Sequence, residues 1–195
     1  MTKILIGLVL VCLDLPLAFE TTIMGSDLII LVDMFPDVAG FILMIFGHRE
    51  LSYENDFFYK NIKFSLWCAT VAAMIFVMDL VGITASTQGI QAMLMKLLLA
   101  VLEPICLFRI VRGIRQVGKD YGVNVKGKLM LWVWIGYTVI TTASIFLATY
   151  EPGDPLVLLQ AALSFAYVAL FYRFRNLYEE IRPELPEEEE PSEEE

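Results

Sequence analysis

The placement of the basic residues constrains this 195-residue chain more than any motif does. No Lys or Arg occurs between Ile4 and His48, only Lys96 between Phe64 and Phe108, and none between Leu129 and Tyr172. The other thirteen of the fourteen fall in four short segments: Lys3, Arg49 to Lys63, Arg109 to Lys128, and Arg173 to Arg182. Each intervening stretch is forty-four or forty-five residues long and almost wholly apolar. One bilayer crossing takes about 20 apolar residues, so each stretch has the length of two crossings joined by a turn. Large buried helices of a soluble protein have no reason to sort their cations in this way.

Turn-prone breaks at Glu20–Ser26, Ala85–Gly89 and Tyr150–Asp154 divide the three stretches. The expected fold is all-α, with one domain over residues 1–178. It is a bundle of six transmembrane helices in three hairpins, with spans at 4–19, 27–47, 64–84, 90–111, 129–149 and 155–174. The breaks hold no Lys or Arg, so the positive-inside rule places both termini and the two longer loops in the cytoplasm. Met-Thr-Lys before an apolar run also fits a signal peptide, but Asp14 within the run and the poor cleavage context at Pro16-Leu17-Ala18 favour an uncut first helix.

The net charge of −9 is a property of the C-terminus. Residues 179–195 hold ten Glu and one Arg, and the rest of the chain balances at thirteen basic against thirteen acidic. Such a segment has no apolar period with which to bury a core, so 179–195 is expected to be a disordered acidic tail. Cys12, Cys68 and Cys106 all lie within spans without CxxC or metal-ligand spacing and are expected to pack as small apolar side chains. No metal site or cofactor is expected.

Six ionisable residues fall inside the spans: Asp14, Asp33, Asp37, Asp79, Lys96 and Glu103. Each costs roughly 2.5–3.5 kcal/mol at a helix centre, so each should face the bundle interior and find a partner there. At 1.5 Å rise per residue they sort into two layers. An outer layer holds Asp33, Asp79 and Lys96, with Lys96 placed to pair with either acid. An inner layer of Asp14, Asp37 and Glu103 is wholly acidic, the composition of a cation or proton site; interhelical hydrogen bonding is the structural alternative.

The segment Asp33-Met-Phe-Pro36-Asp37-Val-Ala-Gly40 is the sharpest local signal. Asp33 and Asp37 are i,i+4 neighbours if the helix is continuous. Pro36 between them removes a helical hydrogen bond and should kink or break it. Broken helices with carboxylates at one depth are a known construction for intramembrane ion and substrate sites. Gly40 should allow a neighbouring helix to approach closely. Glu103-Pro104 repeats the pairing of acid and proline in the fourth span.

Asp14, Asp33-x-x-Pro36-Asp37-x-x-Gly40-Phe41-x-Leu43 and Gly47…Leu51 together resemble a group of small multi-pass membrane proteins of Gram-positive bacteria. Those read Asp-Leu-Leu-Pro-Asp-Phe-Ile-Gly-Tyr-Ile-Leu at this point. The likeness covers the first fifty residues or so, with Val38-Ala39 in place of Phe-Ile and His48 after Gly47. It implies a bacterial plasma membrane and brings no activity with it.

At the cytoplasmic end, Arg109, Arg112, Arg115 and Lys119 recur every three to four residues, with Ile110, Val111, Ile114 and Val117 opposite them. This is expected to be an amphipathic extension of the fourth helix, contacting anionic lipid headgroups or docking a protein partner. Nucleic-acid binding is not expected. His48, the single histidine, reads as a cation at a helix end. Intramembrane protease motifs, a P-loop and a Rossmann glycine run are all missing, so enzyme activity is not expected. Two function classes stand. One is a small-solute or cation carrier, or the substrate-binding subunit of one, using the buried acids. The other is a non-catalytic accessory or scaffold protein that docks partners, or a second copy, through its basic loop and acidic tail.

Overall fold

The computed structural model describes residues 1–12, 16–23, 26–33, 37–80, 90–147 and 155–181. Six helices account for most of them: α1 (Thr2–Cys12), α2 (Asp37–Glu50), α3 (Asp56–Leu80), α4 (Ile90–Asp120), α5 (Gly127–Leu147) and α6 (Pro155–Ile181). Between α1 and α2 lie two antiparallel strands, β1 (Pro16–Ile23) and β2 (Ser26–Asp33), in the register Pro16 to Asp33 and Ile23 to Ser26. Each helix packs against the next in sequence, and α6 returns to α1, so the six close a ring.

The helical class is as expected, but the first two spans are not continuous helices. Residues 4–19 and 27–47 were each expected to form one, yet α1 ends at Cys12, α2 begins at Asp37, and the hairpin occupies the interval. Proline and β-branched residues account for this. Pro16 opens β1, and Thr21-Thr22-Ile23 and Ile29-Ile30 favour extended backbone. The acidic tail was also expected to begin too early: α6 continues through Glu179 to Ile181, helped by the i,i+4 pair of Arg175 Nε with Glu179 at 2.8 Å. Residues 182–195 lie outside the described residues.

Burial follows one stripe per helix. On α3 it is Phe58, Asn61, Ser65, Cys68 and Ala72, and on α6 Ser164, Tyr167, Phe171, Phe174 and Tyr178. The alternating three- and four-residue spacing is that of helices meeting along a shallow left-handed seam. The rest of the surface is unusually apolar. Trp132 is 69% exposed, Phe165 66% and Trp67 63%, and Leu66, Val77, Leu94, Val101, Val139 and Leu158 also point outward. Asp56–Met78 and Pro155–Ile181 are long and apolar enough to cross a membrane, with mean hydropathy 1.6 and 1.8 and only 33% and 17% of their apolar windows buried. Core helices of soluble proteins bury such faces, so apolar helices left uncovered point to a membrane protein.

The tightest helix contact is α1 against α2. A Cβ on Gly7 would stand 2.5 Å from the Gly40 carbonyl oxygen, and one on Gly40 would stand 2.8 Å from that of Gly7. Gly40 thus allows the close approach its position suggested. At the end holding the loops 51–55 and 121–126, Asn55 caps α3, its Oδ1 accepting from the amides of Phe57 (3.0 Å) and Phe58 (3.3 Å). Its Nδ2 donates to the Gly113 carbonyl of α4 at 3.2 Å. Gly122, at φ 66°, takes the left-handed conformation that ends α4.

Candidate functional site

The charged residues singled out by sequence separate. Asp14 and Pro36 lie outside the described residues, and Asp33 and Asp79 are described only as positions on β2 and in the last turn of α3. Lys96 is exposed on α4. Asp33 and Asp37, expected one turn apart on a single helix, belong to different elements: Asp33 closes β2 and Asp37 opens α2. A proline immediately before a helix start is favourable where a mid-helix proline is not, and a carboxylate in the first turn meets the positive end of the helix dipole.

Glu103 and Pro104 do stand inside a helix, near the middle of α4. Pro104 has no N–H for the Ala100 carbonyl, and the turn it loosens is braced by side chains of neighbouring helices. Tyr137 of α5 donates to Glu103 Oε1 at 2.6 Å, and Trp134 Nε1 donates to the Pro104 carbonyl at 2.9 Å. Tyr167 of α6 donates to the Leu107 carbonyl at 2.9 Å. Cys12, at the end of α1, has the Ser164 hydroxyl beside its thiol and lies within the fields of Glu103 and Asp37. A crevice of about 50 Å³ between α1 and α6, lined by Val9, Cys12, Ser164, Phe165 and Val168, reaches this thiol. It has room for a water molecule or a bare cation. Glu103 and Tyr137 are thus joined directly, with the Cys12 and Ser164 pair nearby across the bundle, and among the described residues no three His, Cys, Asp or Glu side chains group closely enough to hold a metal ion.

A second polar cluster was not legible as such. His48, read as a helix-end cation, is fully buried and stacks on Phe58 with ring centroids 6.0 Å apart. Its Nε2 lies 2.9 Å from Asn61 Nδ2, which also donates to the Cys106 carbonyl at 3.1 Å and lies 3.4 Å from Cys106 Sγ. Ser65 Oγ sits 3.3 Å from the same sulfur. The expected apolar role of Cys106 is thus incomplete, because its thiol and carbonyl anchor the polar cluster. One signal was available: Asn61, Ser65 and Cys68 recur at helical spacing where the charged loop passes into the second apolar stretch.

The basic extension of α4 exists, but its apolar face is covered by the protein. Ile110, Val111, Ile114 and Val117 are fully buried in the bundle core. Arg109 lies over the Phe64 ring at 4.2 Å and Arg112 over Phe57 and Phe108 at 5.5 and 5.3 Å. The stem of Arg115 fills the space beside Gly127, and Lys119 is exposed. Nearby, a cavity of about 260 Å³ is lined by Met1, Glu50, Leu51, Tyr53, Tyr178 and Glu179. No family model, curated protein or solved structure matches this chain.

Proposed function

We propose that this chain is a multi-pass membrane carrier, or the binding subunit of one, that takes a small cation or cationic solute at Glu103. In this proposal α3 to α6 cross a bacterial plasma membrane, and α1 and α2 enter it as a close pair from the cytoplasmic side. The absence of Lys and Arg from the three turn segments supports that orientation. The observation that carries the function is Glu103 itself: a carboxylate halfway along a largely apolar helix, beside the proline at 104 and held by the Tyr137 hydroxyl at 2.6 Å. An acid kept in such surroundings costs stability unless it serves a purpose.

The rim at the loop end favours a second function, that of an accessory protein. Arg109 and Arg112 lie over aromatic rings on the basic stretch of α4, and a separate cavity at the loop end is fringed by Glu50, Tyr53 and Tyr178. Native mass spectrometry of protein gently extracted from its own membrane separates the two. A retained small solute or cation, lost in Glu103→Gln, supports the carrier. A stoichiometric partner protein with no retained ligand in either form overturns it in favour of the accessory role.

A further inference from the structure

The His48 cluster lies outside the carrier site, yet it grips the same helix. His48, Asn61 and Ser65 are all fully buried, and the donor and acceptor chemistry of the cluster admits one arrangement. The Cys106 carbonyl only accepts, so the atom of Asn61 facing it is the amide nitrogen. That nitrogen has two hydrogens for three neighbours, the Cys106 carbonyl, the Cys106 sulfur at 3.4 Å and His48 Nε2, and its 2.9 Å contact with Nε2 is a hydrogen bond only when Nε2 is the unprotonated ring nitrogen. The ring hydrogen is therefore on Nδ1, which is buried without a hydrogen-bond partner, as is Asn61 Oδ1. The cluster is complete only around a neutral imidazole and leaves one buried donor and one buried acceptor unmet.

A proton added at Nε2 sets two donors against each other. The relief available is a turn of the Asn61 amide, so that its unmet Oδ1 accepts from the imidazolium. That turn removes the amide hydrogen from the Cys106 carbonyl. Cys106 stands three residues after Glu103 on the segment that Pro104 has already loosened. We infer that His48 is a proton-binding site whose occupancy breaks the Asn61–Cys106 hydrogen bond between α3 and α4 one turn from Glu103, making loading of the carrier site responsive to pH on the loop side. This rests on the carrier function only for its consequence at Glu103; the latch itself stands on the geometry of the cluster. The groups around the imidazole are Phe58, Asn61 and Ser65 of α3 and Cys106 of α4. Cys68 and Ser65 share the Cys106 thiol with the imidazole, and Arg49 and Glu50 follow His48 in α2.

The single histidine makes the test direct. Protein labelled with ¹⁵N-histidine and carbonyl-¹³C-cysteine is placed in lipid nanodiscs and followed by NMR as the pH is lowered. The latch predicts the Nδ1–H tautomer at high pH and a Cys106 carbonyl shift that tracks protonation of the ring. In His48→Gln, whose amide oxygen accepts from Asn61 without titrating, that shift should vanish. An Nε2–H tautomer, or a carbonyl that stays still while the ring titrates, overturns the latch. The wild-type measurement stands even where the variant does not fold. It reads no transport, so a coupled titration in a protein that carries nothing sinks the carrier and spares the latch. Transport with a motionless carbonyl does the reverse.

Discussion

Adding one methyl group at Gly7 tests how closely α1 and α2 lie. The new Cβ would stand 2.5 Å from the Gly40 carbonyl oxygen, 2.7 Å from Met44 Cγ and 3.1 Å from the Met44 amide nitrogen, where ordinary contact begins at 3.4 Å. The difference, 3.4 − 2.5 = 0.9 Å, must come from separating two backbones, because the nearest atom belongs to a helix and not to a flexible side chain. Overpacking of this kind costs about 1–3 kcal/mol. Gly136 of α5 supplies the control. Its Cβ would meet only Leu163 methyl groups at 3.5 Å, so alanine fits. Both replacements gain the same helical preference of alanine over glycine, about 0.5–1 kcal/mol, so the difference between the two variants isolates the steric cost. Reversible unfolding in mixed detergent micelles should place Gly7→Ala about 1–3 kcal/mol below Gly136→Ala. Equal stabilities would show that α1 and α2 are further apart than described, and the close pairing would have to be abandoned.

Other perturbations address separate parts of the molecule. Tyr137→Phe removes the hydrogen bond to Glu103 and should cost about 1.5–3 kcal/mol, whereas Tyr53→Phe, at a long 3.4 Å contact of a side chain 60% exposed, should cost less. Indistinguishable unfolding curves for the two would remove Tyr137 from the site. Trp67→Arg places a charge on the outward face of α3. If that face meets lipid, it should lower the membrane-inserted fraction by an amount equivalent to about 2.5–3.5 kcal/mol at most, and undiminished insertion would argue against lipid contact. A double-mutant cycle of Arg109→Gln with Phe64→Leu should return a coupling of about 0.5–1 kcal/mol for the stacked pair at 4.2 Å. Zero coupling would mean that the guanidinium is held by something else.

Sequence and structure agree where a pattern repeats many times and part where one residue decides. The helical class, the helix starts at Ile90 and Pro155 and the continuation of the fourth helix past Arg109 follow from long apolar periods and charge placement, while the breaks expected at 85–89 and 150–154 lie outside the described residues. The interval from Pro16 to Pro36 was misread because mean apolarity does not separate a membrane helix from a β-branched hairpin. Proline and Thr21-Thr22-Ile23 carried the distinction, and apolar length outweighed them. Glu103 was legible as an acid beside proline in an apolar run. Its partners Tyr137 and Trp134 were not, since an aromatic residue in a span gives no sign of which neighbour it meets. His48 was misplaced for a related reason. Its position at the end of α2 suggested a helix-end cation, but the ring is fully buried and stacked on Phe58.

The most direct test of Glu103 as the cation-binding group is flux. Purified protein in liposomes, challenged in turn with gradients of H⁺, Na⁺ and K⁺, should move at least one faster than empty liposomes do, and Glu103→Gln should abolish the difference while keeping its helical spectrum. Transport by Glu103→Gln at the wild-type rate would contradict the assignment, and no flux of H⁺, Na⁺ or K⁺ by the wild-type protein would contradict its carrying these cations on its own.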